Sequence, residues 1–256
     1  MKFILFLFLP LFCISQNYSQ LDSFALSIPD SLTYSPNKLA NYINSSFVKN
    51  DEKLRVLYVW ITTNIKYQEK LIDSLKNEDL VIYSLKTRSG KCKNYSAVLT
   101  SLCNLMGIEA YSVLGYTKSK KTVNTINDHA WNVIKSDKKY YLFDPIWDAD
   151  IRNFNADEKY FDFRYYKQDS ASFIKSHMPY DPVMQIKFYP ITHKEFFTGK
   201  TNGQTYVNFN DSLAKYNQLN ENEKLVVLLK RAEEFGIDIP ELEVLYKKLK
   251  YFINNH

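Results

Sequence analysis

Three side chains in this sequence, Cys92, His129 and Asp144, have the types and spacing to carry out acyl transfer through a thiol. Cys92 follows Ser89-Gly90-Lys91 and stands where a long apolar-striped segment begins. A helix start presents unpaired N–H groups and the positive end of the helix dipole, and both favour a thiolate. Cysteines so placed have lowered pKa values and act as nucleophiles, and Lys91 adds a positive charge beside it. Taken alone, Cys92 reads more readily as a small buried apolar residue, which is what a free cysteine usually is. Cys103, beside Leu102 in the same stripe, reads as core. A thiol nucleophile needs a base and proton carrier, and His is the usual one. Of the four histidines (His129, His177, His193 and His256), His129 opens a strand-like run, His129-Ala130-Trp131-Asn132. The amide of Cys92 is the natural donor to an oxyanion. Trp60, Trp131 and Asn132 are side-chain candidates for that task, each with a packing or ladder alternative.

The elements that position these groups follow from periodicity. His129 to Lys135 and Tyr140 to Ile146 form a hairpin around Ser136-Asp137-Lys138-Lys139. A two-residue turn at 137–138 or a four-residue loop at 136–139 gives one register, in which the numbers of facing residues sum to 275. Asp144 then faces Trp131, and because side chains alternate along a strand, His129 and Trp131 share that face. His129 and Asp144 become diagonal neighbours with backbones about 7–8 Å apart. A carboxylate at that distance reaches the imidazole, fixes its tautomer and stabilises the imidazolium. The alternative for Asp144 is a turn residue ahead of Pro145.

The rest of the chain reads as helices around this hairpin. Residues 16–34 are polar and irregular. Ser35-Pro36 opens a helix over 36–47. Asn50-Asp51 caps a second, with Leu54, Leu57, Tyr58, Ile61 and Ile65 as its buried stripe. A weaker helical stretch covers 77–87. The helix that starts near Cys92 carries Tyr95, Val98, Leu99, Leu102, Leu105 and Met106 on one face and stops at Gly107. Ile108 to Tyr116 is a strand and Lys118 to Asn127 a polar loop. Residues 150–200 have no clear period and read as an extended flank. Asn220 caps a helix over Glu221 to Phe235, ended by Gly236, and Pro240 starts another with Leu242, Leu245, Tyr246, Leu249 and Phe252 on one face. These two form a helical hairpin. The organisation expected is a leader at 1–15, an N-terminal segment at 16–50, the core at 51–150 and a C-terminal flank at 151–256.

Composition narrows the function classes. The 256 residues are 45% hydrophobic and 24% charged, with 20 Tyr and 17 Phe, so the chain can build a core and is not disordered in bulk. A net charge of +5 spread over that length, without Lys and Arg clustered on a face, argues against a nucleic-acid partner. No Cys or His pairs stand at ligand spacing and no Gly-rich turn cradles a phosphate, so neither a metal nor another cofactor is expected. Lys2, the apolar run Phe3 to Cys13 and the small residues at Cys13-Ile14-Ser15 form a secretory signal too short to span a bilayer, which predicts a secreted or periplasmic protein with no transmembrane segment. Lipidation of Cys13 is the rival reading, weakened by Phe12 where a small residue is usual. Export raises the question of a disulfide between Cys92 and Cys103. Eleven residues along one helix separate them by about 16 Å, against the roughly 7 Å that a disulfide tolerates, so both thiols are expected free.

These runs together resemble the transglutaminase-like superfamily, in its secreted bacterial type. Trp60-Ile61-Thr62-Thr63-Asn64-Ile65-Lys66-Tyr67 looks like the segment ahead of the nucleophile, and Ser89-Gly90-Lys91-Cys92-Lys93-Asn94-Tyr95 resembles the cysteine motif. Leu105-Met106-Gly107-Ile108-Glu109-Ala110 resembles the end of the nucleophile helix and the strand after it. His129-Ala130-Trp131-Asn132 and Leu142-Phe143-Asp144-Pro145-Ile146-Trp147-Asp148 resemble the histidine and aspartate motifs. The match covers residues 52–148. It implies an α+β, papain-like core, with N-terminal helices, the nucleophile helix packed on an antiparallel sheet, and here a C-terminal helical hairpin. It implies Cys92 as nucleophile, His129 as base and Asp144 as orienting carboxylate, acting on a protein, peptide or amide substrate. The superfamily holds peptidases, amidases, protein crosslinkers and members without catalysis. Hydrolysis is the first expectation, because water is in excess; a binding module and a crosslinking enzyme are the alternatives. Ser176-His177-Met178-Pro179 is similar to a segment after the core in some secreted members, but Met184 stands where those often show Trp, and no catalytic role is assigned to His177.

Overall fold

A computed structural model describes residues 18–68, 77–154, 163–201 and 205–255. The expected leader, including Cys13, lies outside the described residues, as does His256. The fold is α+β: helices gather on one face of an antiparallel sheet, and the C-terminal flank covers the other.

The chain ahead of Cys92 is largely helical. α1 (Ser19–Leu26) falls in a stretch read as irregular. It docks on the helical core through Ala25, Leu21 and Phe24 and on α3 (Asn50–Asn64) through an ion pair: Arg55 donates from Nε and Nη2 to the two carboxylate oxygens of Asp22, at 2.7 and 2.8 Å. The guanidinium also lies over the rings of Tyr18 and Tyr166. Hydrophobic periodicity does not register an anchor of this kind. Removing the carboxylate from a pair this buried leaves its charged partner poorly solvated. Asp22→Ala is therefore expected to lower stability by about 3 kcal/mol, read from urea unfolding midpoints.

α2 (Pro36–Ser46) starts at its proline as expected, with the Ser35 side chain accepting from the Lys38 amide. α3 is buried on every side from Leu54 to Ile61 and forms the centre of the helical layer. Then come β1 (Lys66–Tyr67), α4 (Asn77–Thr87), β2 (Ser89–Gly90) and α5 (Cys92–Leu105). β1 and β2 pair in parallel, Lys66 facing Ser89 and Tyr67 facing Gly90, and deliver the chain to Cys92. Gly107 adopts φ +75°, as the stop after α5 requires.

The sheet comprises β3 (Ala110–Ser119), β4 (Thr122–Val123), β5 (His129–Ser136), β6 (Lys139–Phe143) and β7 (His177–Pro179). Its order is β4-β3-β5-β6, and β7 pairs with β3. Part of the expected 118–127 loop is the β3–β4 hairpin. Asn132 faces Phe143, Val133 faces Leu142 and Ser136 faces Lys139, each pair summing to 275. Asp137 and Lys138 both have positive φ, the signature of a two-residue turn whose twist matches the strands. β6 ends at Phe143 instead of reaching Ile146. Pro145 has no N–H for a ladder and suits a first helical turn, so α6 (Pro145–Phe154) begins there.

Among its described residues, the 150–200 stretch expected to be extended holds short elements, α7 (Ser170–Phe173), β7 and α8 (His193–Thr198), and α9 (Phe209–Tyr216) comes after it. α10 (Glu221–Glu234) and α11 (Glu243–Asn254) follow, the first capped by Asn220 and closed by Gly236 at φ +73°. Leu242, Leu245 and Leu249 join Tyr116 and Met178 in one cluster, which seats the helical hairpin against β3 and β7. Among the described residues no helix is long and apolar enough to cross a membrane.

Candidate active site

Cys92 is the first residue of α5 and is half-buried. The backbone before it is locked. Asn94 Oδ1 accepts from the Lys91 amide at 3.0 Å, while Asn94 Nδ2 donates to Ser84 Oγ on α4 at 2.9 Å. A Cβ on Gly90 would lie 2.4 Å from Asn94 Cβ, so the chain approaches its own helix too closely for a side chain. Deeper in α5, Ser96 Oγ donates to the carbonyl of Trp131 at 2.7 Å, and Asn132 Nδ2 donates to the carbonyl of Ser96 at 2.9 Å. These bonds fix α5 against β5, and thereby Cys92 beside the strand's first residue.

That residue is His129. Its Nε2 lies 2.7 Å from Asp144 Oδ2, and its ring is hydrogen-bonded to Cys92. With Nε2 on the carboxylate, Nδ1 is left for the sulfur. Burial pulls the His129 pKa down, but the charge and bond of Asp144, together with Cys92, outweigh it and raise it to about 10. Burial pushes Asp144 up, and the imidazoles more than reverse this, holding the carboxylate well below its ordinary range. Cys103 is buried, and burial drives its thiol far above the usual value. Neither thiol is in a disulfide. The three sequence-predicted residues thus meet at one spot, the His129 imidazole bonded both to Asp144 and to Cys92.

The raised pKa of His129 has a consequence for stability. A group whose folded pKa exceeds its unfolded value contributes stability fully below the unfolded pKa, near 6.5, and loses it as pH rises through the folded one, here about 10. Between pH 7 and 10 the thermal midpoint of the wild type is expected to fall further than that of His129→Gln, as followed by scanning fluorimetry.

The oxyanion candidates separate. Asn132 is committed to α5 through Ser96 and Thr100. Trp60 lies in the helical core beneath Arg88. Trp131 Nε1 has no hydrogen-bond partner, but the residue is fully buried and does not face the solvent from which a substrate comes.

One residue that periodicity left without a role joins the site. His177 Nε2 lies 3.0 Å from the same Asp144 Oδ2 that His129 contacts. Its motif was visible; its contact depends on β7 pairing with β3, and a three-residue strand is too short to show a period. The ligand atoms of His129, Asp144 and His177 fall within 4.8 Å of one another, a grouping that spacing along the chain does not reveal because each comes from a separate stretch. Both Nε2 atoms point at one carboxylate oxygen at hydrogen-bond distance, so a cation there would have to displace those bonds.

Asp148 sits one turn into α6 and accepts from Tyr58 Oη at 2.6 Å and from the amides of Arg164 and Tyr165. Burial leads its causes and raises it to about 7. It ties α3 to the segment after α6, whose Tyr165 carbonyl accepts from the Asp144 amide at 3.1 Å. Next in the chain to Cys92 and His129, Lys93 and Asp128 pair at 3.1 Å, and Lys93 lies over the ring of Phe252 on α11.

Residues 37–145 match the transglutaminase-like superfamily. The matched span runs from α2 to the first residue of α6 and includes Cys92, His129 and Asp144. The chain is also similar to the kyphoscoliosis peptidases of Mus musculus and Homo sapiens, at 25% and 26% identity over 157 residues. That alignment covers 57% of this chain and 23% of each relative, so the chain spans about a quarter of their length. Among solved structures, the periplasmic domain of TgpA from Pseudomonas aeruginosa aligns at 19% identity and a TM-score of 0.39, over 52% of this chain and 49% of that one. A TGase aligns at 15% identity and a TM-score of 0.34, over 50% and 36%.

Proposed function

We propose that this chain is an exported, transglutaminase-like thiol hydrolase that cleaves amide or peptide bonds through Cys92, His129 and Asp144. One observation carries the reading: the imidazole of His129 is bonded through Nε2 to a buried carboxylate and is also hydrogen-bonded to the thiol at the start of α5. An imidazole raised to about 10 holds a proton at neutral pH, and a cation beside a cysteine at a helix start favours the thiolate as its partner. The thiolate attacks the substrate carbonyl, and the Cys92 amide, among the unpaired donors of the first turn of α5, meets the oxyanion. His129 gives its proton to the departing amine, leaving a thioester. The neutral imidazole then takes a proton from water, hydroxide adds to the thioester, and the acid leaves as Cys92 regains its charge against imidazolium. Export rests on the composition of residues 1–15. The name of the peptidase relatives fits hydrolysis.

The test is incubation of the chain from residue 16 onward with a broad peptide and amide library, alongside a protein acceptor and a fluorescent primary amine. Hydrolysis that disappears in Cys92→Ala is the expected result. Amine incorporation in place of hydrolysis would move the reading to crosslinking. No turnover of any kind by folded protein would overturn it in favour of a binding module.

A further inference from the structure

Asp144 is fully buried, and burying an ionised carboxylate is expensive unless its oxygens are well supplied with donors. Oδ1 accepts from the Trp147 amide at 3.2 Å. Oδ2 receives His129 at 2.7 Å and His177 at 3.0 Å. Only His129 lies on the proposed reaction path. His177 reaches Asp144 because β7 lies close against β3. A Cβ on Gly115 would come 2.2 Å from the Met178 carbonyl and 2.7 Å from Pro179 Cα, so any side chain there would push β7 outward.

The surroundings of His177 define its protonation. The residue is fully buried, its ring stacked on Phe173 at 4.0 Å and against Trp147 at 4.4 Å. A carboxylate only accepts, so Nε2 carries the hydrogen directed at Asp144. In a neutral ring that leaves Nδ1 as the acceptor, 2.8 Å from Ser176 Oγ. Burial lowers the His177 pKa to about 4, so the ring stays neutral at working pH despite the carboxylate beside it. The titratable groups facing the pair from every packed element are His129 on β5, Cys92 on α5, Tyr58 on α3, Asp148 on α6 and Tyr165 after it.

We propose that His177 is a positioning residue: its neutral Nε2–H pins Asp144 Oδ2, keeping that carboxylate ionised and turned toward His129. A neutral donor suits this task, because a second imidazolium would compete with His129 for the same charge. The inference rests on the acyl-transfer reading of the site. The acid limit of the Cys92–His129 ion pair is then set partly by how long Asp144 resists protonation, and His177 extends that range.

The experiment compares wild type with His177→Phe, which fills the aromatic cage without a donor, and His177→Gln, which restores an N–H. The pH profile of Cys92 alkylation by iodoacetamide is read by peptide mass spectrometry. His177→Phe is expected to move the acid limb up by about one pH unit, the value of a donor to a charged group, and His177→Gln to return most of the shift. In hydrolysis of any library substrate found, kcat is expected to fall while KM stays. A folded His177→Phe with an unmoved acid limb would overturn the proposal. Should that variant not fold, nitrogen-15 NMR of the wild type decides. His177 is expected as the Nε2–H tautomer, untitrated down to about pH 5; an Nδ1–H tautomer, or titration near the ordinary histidine value, would overturn it. A wild-type Cys92 that titrates as an ordinary thiol would instead count against the acyl-transfer reading, and the tautomer of His177 would still judge its bond to Asp144.

Discussion

Cys92→Ala is expected to remove hydrolysis almost entirely, by about 10⁵- to 10⁶-fold in kcat, because no other group at the site is a nucleophile. Cys103 does not substitute: it is fully buried in the helical layer, and burial holds its thiol protonated. The substitution is also expected to leave the fold intact, since Cys92 is half-buried at a helix start and Ala is the best helix former. The decisive feature is non-additivity. Groups that act as a unit fail together, so adding His129→Ala to Cys92→Ala should cost almost nothing more in turnover. Rates of the two single variants and the double variant on one substrate check this. Independent losses that multiply would mean that the sulfur and the imidazole do not share a step.

Asp144→Asn carries the second largest effect, a fall of about 10³- to 10⁴-fold in kcat. The reason lies in hydrogen-bond polarity. Oδ2 meets two imidazole Nε2 atoms and Oδ1 meets the Trp147 amide, so both positions call for an acceptor. An amide offers one oxygen and one NH₂. Turned with oxygen to the imidazoles, it sets NH₂ against the Trp147 N–H. Turned the other way, it faces both Nε2 atoms with a donor and drives His129 toward the tautomer that carries its hydrogen on the sulfur side. Either arrangement also removes the negative charge that raises His129, whose pKa should drop toward or below the ordinary histidine value. NMR titration of His129 in this variant checks the cause, and the rate checks the consequence.

Much of this site was legible in the sequence because its geometry is local. A two-residue turn at Asp137-Lys138 fixes the β5–β6 register, which carries the chain to Phe143 opposite Asn132 and leaves Asp144 one residue beyond the ladder, on the side of His129. Cys92 follows from a helix whose start, apolar stripe and closing glycine are all written in residue types. The features that escaped depend on charge or on distant pairing. α1 is short, and beside a few apolar contacts it is anchored by Asp22 and Arg55, which carry no apolar period. β7 is three residues long and finds its place only through a partner strand some sixty positions earlier in the chain. Pro145 was readable as a helix starter, yet the alternation from Tyr140 onward ran past it toward Ile146. His177 shows most plainly what sequence spacing leaves out: its contact with Asp144 exists only once β7 is seated on β3 beside Gly115.

The central claim is that Cys92 is held as a thiolate by His129, and alkylation of the native wild-type chain across pH tests it most directly. Iodoacetamide is added from pH 4 to 9, and Cys92 and Cys103 are quantified separately after digestion. A rate at Cys92 that has already reached a plateau below pH 7, with Cys103 unlabelled until the chain is unfolded, is the predicted result. A Cys92 rate that climbs only near pH 8 to 9, as for an ordinary thiol, or equal labelling of both cysteines in the folded chain, would contradict it.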